Sequence, residues 1–87
     1  MQQLKSNTKT YNLKRLADRI KELRLQKSKS LNKFVFSKGN VTSATWSRVE
    51  NALVDVKFST LVQMSGMLEM NLSDMVKNLD LDYEGED

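Results

Sequence analysis

Leu13, Leu16, Ala17, Ile20 and Leu23 recur at intervals of three and four, the spacing that lines apolar side chains along one stripe of a helix. The pattern predicts a first helix capped by Asn12 and closing near Lys27. Ser28-Lys29-Ser30 interrupts it, and Leu31, Phe34 and Val35 then mark a brief second helix. Ser30 is placed to cap that helix; capping by Asn32 instead would lengthen the preceding loop. Gly39-Asn40 supplies the positive φ that ends a helix. Thr42 is placed to cap a third, its hydroxyl accepting from the backbone N–H of Ala44 or Thr45, with Trp46 and Val49 following on one face. A helix, a tight turn and a second helix thus fall within about 22 residues.

Leu53, Val54, Asp55, Val56 and Lys57 read as a connector, and Phe58, Leu61, Val62, Met64, Ser65 and Leu68 as the stripe of a fourth helix. Asn71 is placed to cap a fifth, carrying Leu72, Met75, Val76 and Leu79, with Asp74 in the first turn where the helix dipole favours an acid. Residues 1–11 are polar and without sustained period, a flexible basic arm carrying Lys5 and Lys9. Residues 12–79 form the domain, and residues 80–87 an acidic tail expected to fray.

Five short helices on tight connections can bury their stripes only against one another, so the expected class is all-α, a five-helix orthogonal bundle. Its core should hold Leu16, Ile20, Leu23, Phe34, Val35, Val41, Trp46, Val49, Phe58, Leu61, Val62, Leu68, Leu72 and Met75. The absence of proline, with only three glycines, denies an all-β chain its turn punctuation.

Cysteine and histidine are both absent, which removes disulfides, thiolate nucleophiles, imidazole acid–base catalysis and the usual zinc sites. The acids Asp80, Asp82 and Glu84 before Gly85 lack the spacing and terminal bidentate acid of a calcium loop. No enzyme, cofactor or metal is expected. Nor does the chain hold the roughly 18 consecutive apolar residues of a membrane span, or a secretory leader, so a cytoplasmic protein is expected. The net charge of +3 hides an asymmetry. Residues 1–78 carry all 14 Lys and Arg against six acids, a net +8, and the remaining five acids follow. A basic body suits a polyanionic partner, although a solvated charged face has the same composition.

Trp46-Ser47-Arg48-Val49-Glu50-Asn51 resembles the third-helix signature of the phage repressor and Cro (XRE-type) family of helix-turn-helix regulators, in which an apolar residue, Ser, Arg, an apolar residue, Glu and Asn recur. From Asn51 to Val76 the chain is similar, without a gap, to that family's connector and last two helices, including Phe58, Thr60-Leu61, Leu68, Leu72 and Asp74-Met75. Arg19-Ile20-Lys21-Glu22-Leu23-Arg24 is similar to the end of its first helix. The resemblance spans roughly residues 13–77 and implies the lambda-repressor-like bundle, with a recognition helix near residues 42–51 entering the major groove. It also implies an ion pair between Arg24 and Glu50. The chain departs from the family in having one extra residue between the caps Ser30 and Thr42. Leu31 stands where a Gln is frequent, Ala52 where a Gly is usual, and Leu53 and Val54 where basic residues are common.

With Val41, Trp46 and Val49 inward, Ser43, Ala44, Thr45, Ser47 and Arg48 are left for base edges. Arg48 can fork onto a guanine, the hydroxyls can donate or accept, and Ala44 can meet a thymine methyl. The same Ser/Thr cluster would also serve simply to start a helix. Lys33, Lys38, Asn40 and Thr42 flank the turn as candidate phosphate contacts, and Lys5 and Lys9 of the arm can reach a groove; ordinary solvated side chains are the alternative. Trp46, lying in the apolar stripe, reads as a core anchor rather than a stacking platform. Leu53, Val54 and Val56 make an apolar patch suited to a homodimer reading half-sites about 34 Å apart, unless two of them fold back onto the last helix.

These readings converge on sequence-specific binding of double-stranded DNA by a small transcriptional regulator, a repressor. An antitoxin-like or scaffold module is the second reading, contacting a protein through Leu53, Val54, Phe36 and the acidic tail.

Overall fold

No glycine or proline interrupts the chain between Gln3 and Lys27, and the first helix, α1, occupies all of that stretch. The computed structural model describes residues 3–83, with side chains from Thr8 onward. Within it α2 spans Leu31–Lys38, α3 Ser43–Glu50, α4 Phe58–Met67 and α5 Leu72–Met75, with no strand among the described residues. The radius of gyration, 13.4 Å, is near the roughly 12 Å expected of a compact chain this long.

The flexible arm expected at residues 1–11 is corrected, because from Gln3 onward its backbone belongs to α1. Thr8, Asn12, Leu16 and Ile20 follow at four-residue intervals, so the inward stripe continues toward the N-terminus in polar residues that an apolar period does not register. Asn12 is therefore no cap. Its side chain amide donates to the Asp82 carbonyl at 2.9 Å and accepts from the Asp82 N–H at 2.8 Å, fastening the chain's far end to α1. The tail expected to fray from Asp80 is held at this point, with Leu81 and Asp82 half-buried. Residues 84–87 of the tail and the side chain of Lys5 lie outside the described residues.

The caps around the central turn follow local chemistry. Ser30 accepts from the Lys33 N–H at 3.2 Å and starts α2. Gly39, at φ 83°, closes α2 by donating its N–H to the Val35 carbonyl at 2.7 Å. Thr42 accepts from the Thr45 N–H at 3.2 Å and starts α3. Asn71 holds the N-cap position of α5 without a side-chain cap bond, and α5 is a single turn rather than a helix reaching Leu79. Arg19 satisfies its end, donating to the carbonyls of Met75 at 3.2 Å and Asp74 at 3.1 Å.

The core gathers on Trp46, which is fully buried and meets Phe34 edge to face at 5.0 Å between ring centres. Ile20, Leu23, Val41, Val49, Met64, Met67, Leu68 and Met75 complete it, and Leu16, Val35, Leu61 and Leu72 pack against it from partly exposed positions. Phe58 and Val62, expected inside, are 72% and 44% exposed. The inward side of α4 is taken by Met64 and Met67, followed by Leu68 at its C-cap, all buried in the core, which leaves Phe58 and Val62 on the outside. No helix among the described residues is long and apolar enough to cross a membrane.

Candidate nucleic-acid interface

α3 is pinned from below by one buried polar network. Arg24 Nε donates to Glu50 Oε2 at 2.9 Å and Arg24 Nη2 to Glu50 Oε1 at 2.8 Å, while the Trp46 indole N–H donates to Glu50 Oε2 at 2.6 Å. The remaining Arg24 nitrogen, Nη1, donates to the carbonyls of Ser28 at 3.1 Å and Lys29 at 3.0 Å, the linker between α1 and α2. One guanidinium thus joins the end of α1, the entry to α2 and the last turn of α3. Hydrogen bonding to the Glu50 carboxylate raises the Arg24 pKa above its ordinary value, burial opposes that rise, and the charge of Glu50 adds to it. Among the described residues no buried side-chain nitrogen or oxygen lacks a partner. Such a network fixes orientation more surely than it stabilises, because desolvation offsets much of the attraction.

Of the residues expected to face bases, only Ala44 and Arg48 lie on the side of α3 opposite Trp46, with Thr45 and Ser47 on its flanks and Ser43 beside Glu50. Ala44 and Arg48 are exposed, and Ser43, Thr45 and Ser47 are half-buried. Among the described residues the Arg48 side chain makes no hydrogen bond or ion pair, so its fork of donors remains open. Two of the hydroxyls are partly committed. Thr42 donates to Thr45 at 3.1 Å, and Asn51 leans back on Ser47, donating to its carbonyl at 2.7 Å and its hydroxyl at 3.4 Å.

Of the residues flanking the turn, Lys33 and Asn40 are exposed without side-chain partners among the described residues, and Thr42 is occupied as a cap. Lys38 is held differently, its ammonium donating to Glu69 at 2.8 Å, with Lys27 on the other carboxylate oxygen at 3.1 Å. Lys9 lies 3.7 Å from Asp55, away from the turn in sequence and paired within the fold. Sequence reasoning missed Glu69, whose partners stand 31 and 42 residues away. It also missed the Trp46–Glu50 bond, although the i, i+4 spacing with a donor-only indole was a usable signal.

The connector patch divides. Val54 and Val56 pack against the core, while Leu53 is 71% exposed. Phe36, on the outer side of α2, is 92% exposed. Compared with protein-family models, curated proteins and solved structures, the chain matches none of them.

Proposed function

We propose that this chain is a small transcriptional regulator, a repressor, that binds double-stranded DNA in a sequence-specific way. In this reading α2, the Gly39 turn and α3 are a helix-turn-helix of the lambda-repressor-like, XRE type, and the first turns of α3 lie in the major groove. Arg48 forks onto a guanine, Ser43, Thr45 and Ser47 offer hydroxyls, Ala44 permits close approach, and Lys33, Lys38 and Asn40 meet phosphates on either side. The observation that carries the reading is the contrast between the two sides of α3: a buried, hydrogen-bonded underside of Trp46 and Glu50 held by Arg24, and an exposed outer side with Arg48, which has no partner among the described residues. A preorganised helix of that kind loses little freedom on docking.

A homodimer belongs to the same reading, with Leu53 as its apolar contact because Val54 and Val56 turn inward. Short reading side chains favour a site recognised partly through DNA shape. The experiment is selection of duplexes from a random pool, followed by binding at several salt concentrations. The reading predicts an enriched site and an affinity that falls steeply with salt, by about 0.9 in log K per log unit of salt for each phosphate neutralised. A pool that stays random sinks it. Phe36 and Leu53 favour the second reading, a module that docks on another protein through apolar contacts, whose affinity would be nearly indifferent to salt.

A further inference from the structure

Glu69 follows α4 at φ 62°, a left-handed position that suits glycine better than any residue with a Cβ. The turn itself is closed by backbone alone, with the Glu69 N–H on the Gly66 carbonyl and the Met70 N–H on the Ser65 carbonyl, each at 3.0 Å. Nothing in that turn needs a carboxylate. What the carboxylate does is gather Lys27, the last residue of α1, on one oxygen and Lys38, the last residue of α2, on the other. The strained, exposed Glu69 is thus bonded to a lysine that flanks the turn into α3.

We propose that Glu69 is an intramolecular competitor of DNA phosphate, holding Lys38 and Lys27 on a carboxylate so that a duplex must displace it to recruit them. The inference rests on the DNA-binding reading above. An ammonium has the same donors for a carboxylate as for a phosphate, so the two acceptors exclude each other at Lys38. Exposed ion pairs are weak, so the clasp lowers affinity without abolishing it. Lys33 and Asn40, which have no such acceptor among the described residues, make first contact with the backbone; Lys38 follows only when the clasp opens.

The test is fluorescence anisotropy with a labelled mixed-sequence duplex of about 20 base pairs, two half-site lengths, titrated with wild type, Glu69→Gln, Glu69→Gly and Asp18→Asn. Asp18→Asn makes the same charge change on α1, where Asp18 pairs with Lys14 at 3.3 Å. The competitor role predicts that Glu69→Gln tightens binding about three- to tenfold near 0.1 M salt and steepens the salt dependence by about one unit of slope. Asp18→Asn should stay within about twofold of wild type, and Lys38→Met placed on Glu69→Gln should remove most of the gain. Glu69→Gly must show the same gain with an unchanged or raised melting temperature, which separates lost competition from a loosened turn. A Glu69→Gln gain no larger than that of Asp18→Asn, or weaker binding, overturns the competition while leaving the DNA-binding reading intact. Wild type and Glu69→Gln that are equally inert toward every duplex overturn both.

Discussion

Ala52 stands two residues beyond α3 at φ 57°, in the left-handed conformation that closes the helix through the Ala52 N–H on Val49 and the Leu53 N–H on Arg48. A Cβ there costs about 1–2 kcal/mol, of which the greater unfolded-state freedom of glycine returns about 0.4–1 kcal/mol. Ala52→Gly should therefore stabilise the domain by about 0.5–1 kcal/mol in denaturant melts, with binding unchanged. Arg24 behaves in the opposite way. Replacing it with Met leaves Glu50 buried with only the Trp46 indole as donor, and breaking such a pair costs about 3–5 kcal/mol. For a domain of this size that is a fall of roughly 12 °C or more in Tm, measurable by circular dichroism. A loss under about 1 kcal/mol would mean that the pair is not the keystone the geometry makes it. Neither residue's weight was readable from its immediate neighbours. Arg24 and Glu50 were paired only through the resemblance, which also set Ala52 where a glycine is usual; alanine as a residue type does not announce the positive φ found there.

At the scale of elements, what was legible is what local chemistry decides. Ser30, Gly39 and Thr42 were placed correctly because a hydroxyl at a helix start and a glycine at its end act within four residues of themselves. The start of α1 was not legible, because its inner stripe continues in polar Thr8 and Asn12, and the partner of Asn12 lies 70 residues away. The phase of α4 was misread because several apolar residues compete for one inward stripe, and the core takes Met64 and Met67 while Phe58 and Val62 stay exposed. The clasp between Asn12 and Asp82 yields a prediction that separates local from global effects. Asn12→Ala removes two hydrogen bonds worth about 0.5–1.5 kcal/mol each, and recovers roughly 0.6 kcal/mol of helix propensity. The net loss in global stability should be small, about 0.5–2 kcal/mol, while exchange of the Asp82 amide accelerates by about tenfold or more. An Asp82 amide that stays equally protected would show that the chain's end is held by something other than Asn12.

Across the whole molecule, burial is arranged around α3 in opposite senses: its underside is bonded to α1 and through Arg24 to the linker into α2, and Ala44 and Arg48 on its outer side are exposed. Glu69 joins three parts of the bundle through its two lysines, and it is exposed, so its contribution is small and screened by salt. Hydrogen bonding from Lys38, then from Lys27, lowers its pKa from 4.5 to about 2. With the folded value depressed, its contribution is complete above the ordinary carboxylate range and disappears as pH falls toward about 2. An NMR titration of the Glu69 carboxyl should therefore find its midpoint well below that of an unpaired glutamate, moving back upward in high salt. The all-α class was legible because amphipathic segments on tight connections admit few other arrangements; the lysine clasp on Glu69 and the Asn12–Asp82 bonds were not, because they join residues 31 to 70 positions apart. In the proposed function, the outer side of α3 is the surface that meets DNA. Backbone amide shifts followed while a duplex selected from the random pool is added test it most directly. The largest changes should fall at residues 42–48 and at Lys33 and Asn40, the buried Trp46 indole signal should stay nearly still, and Arg48→Ala should weaken the complex by about 1–3 kcal/mol. Shifts gathered instead around Phe36 and Leu53, with residues 43–48 unmoved, would contradict it.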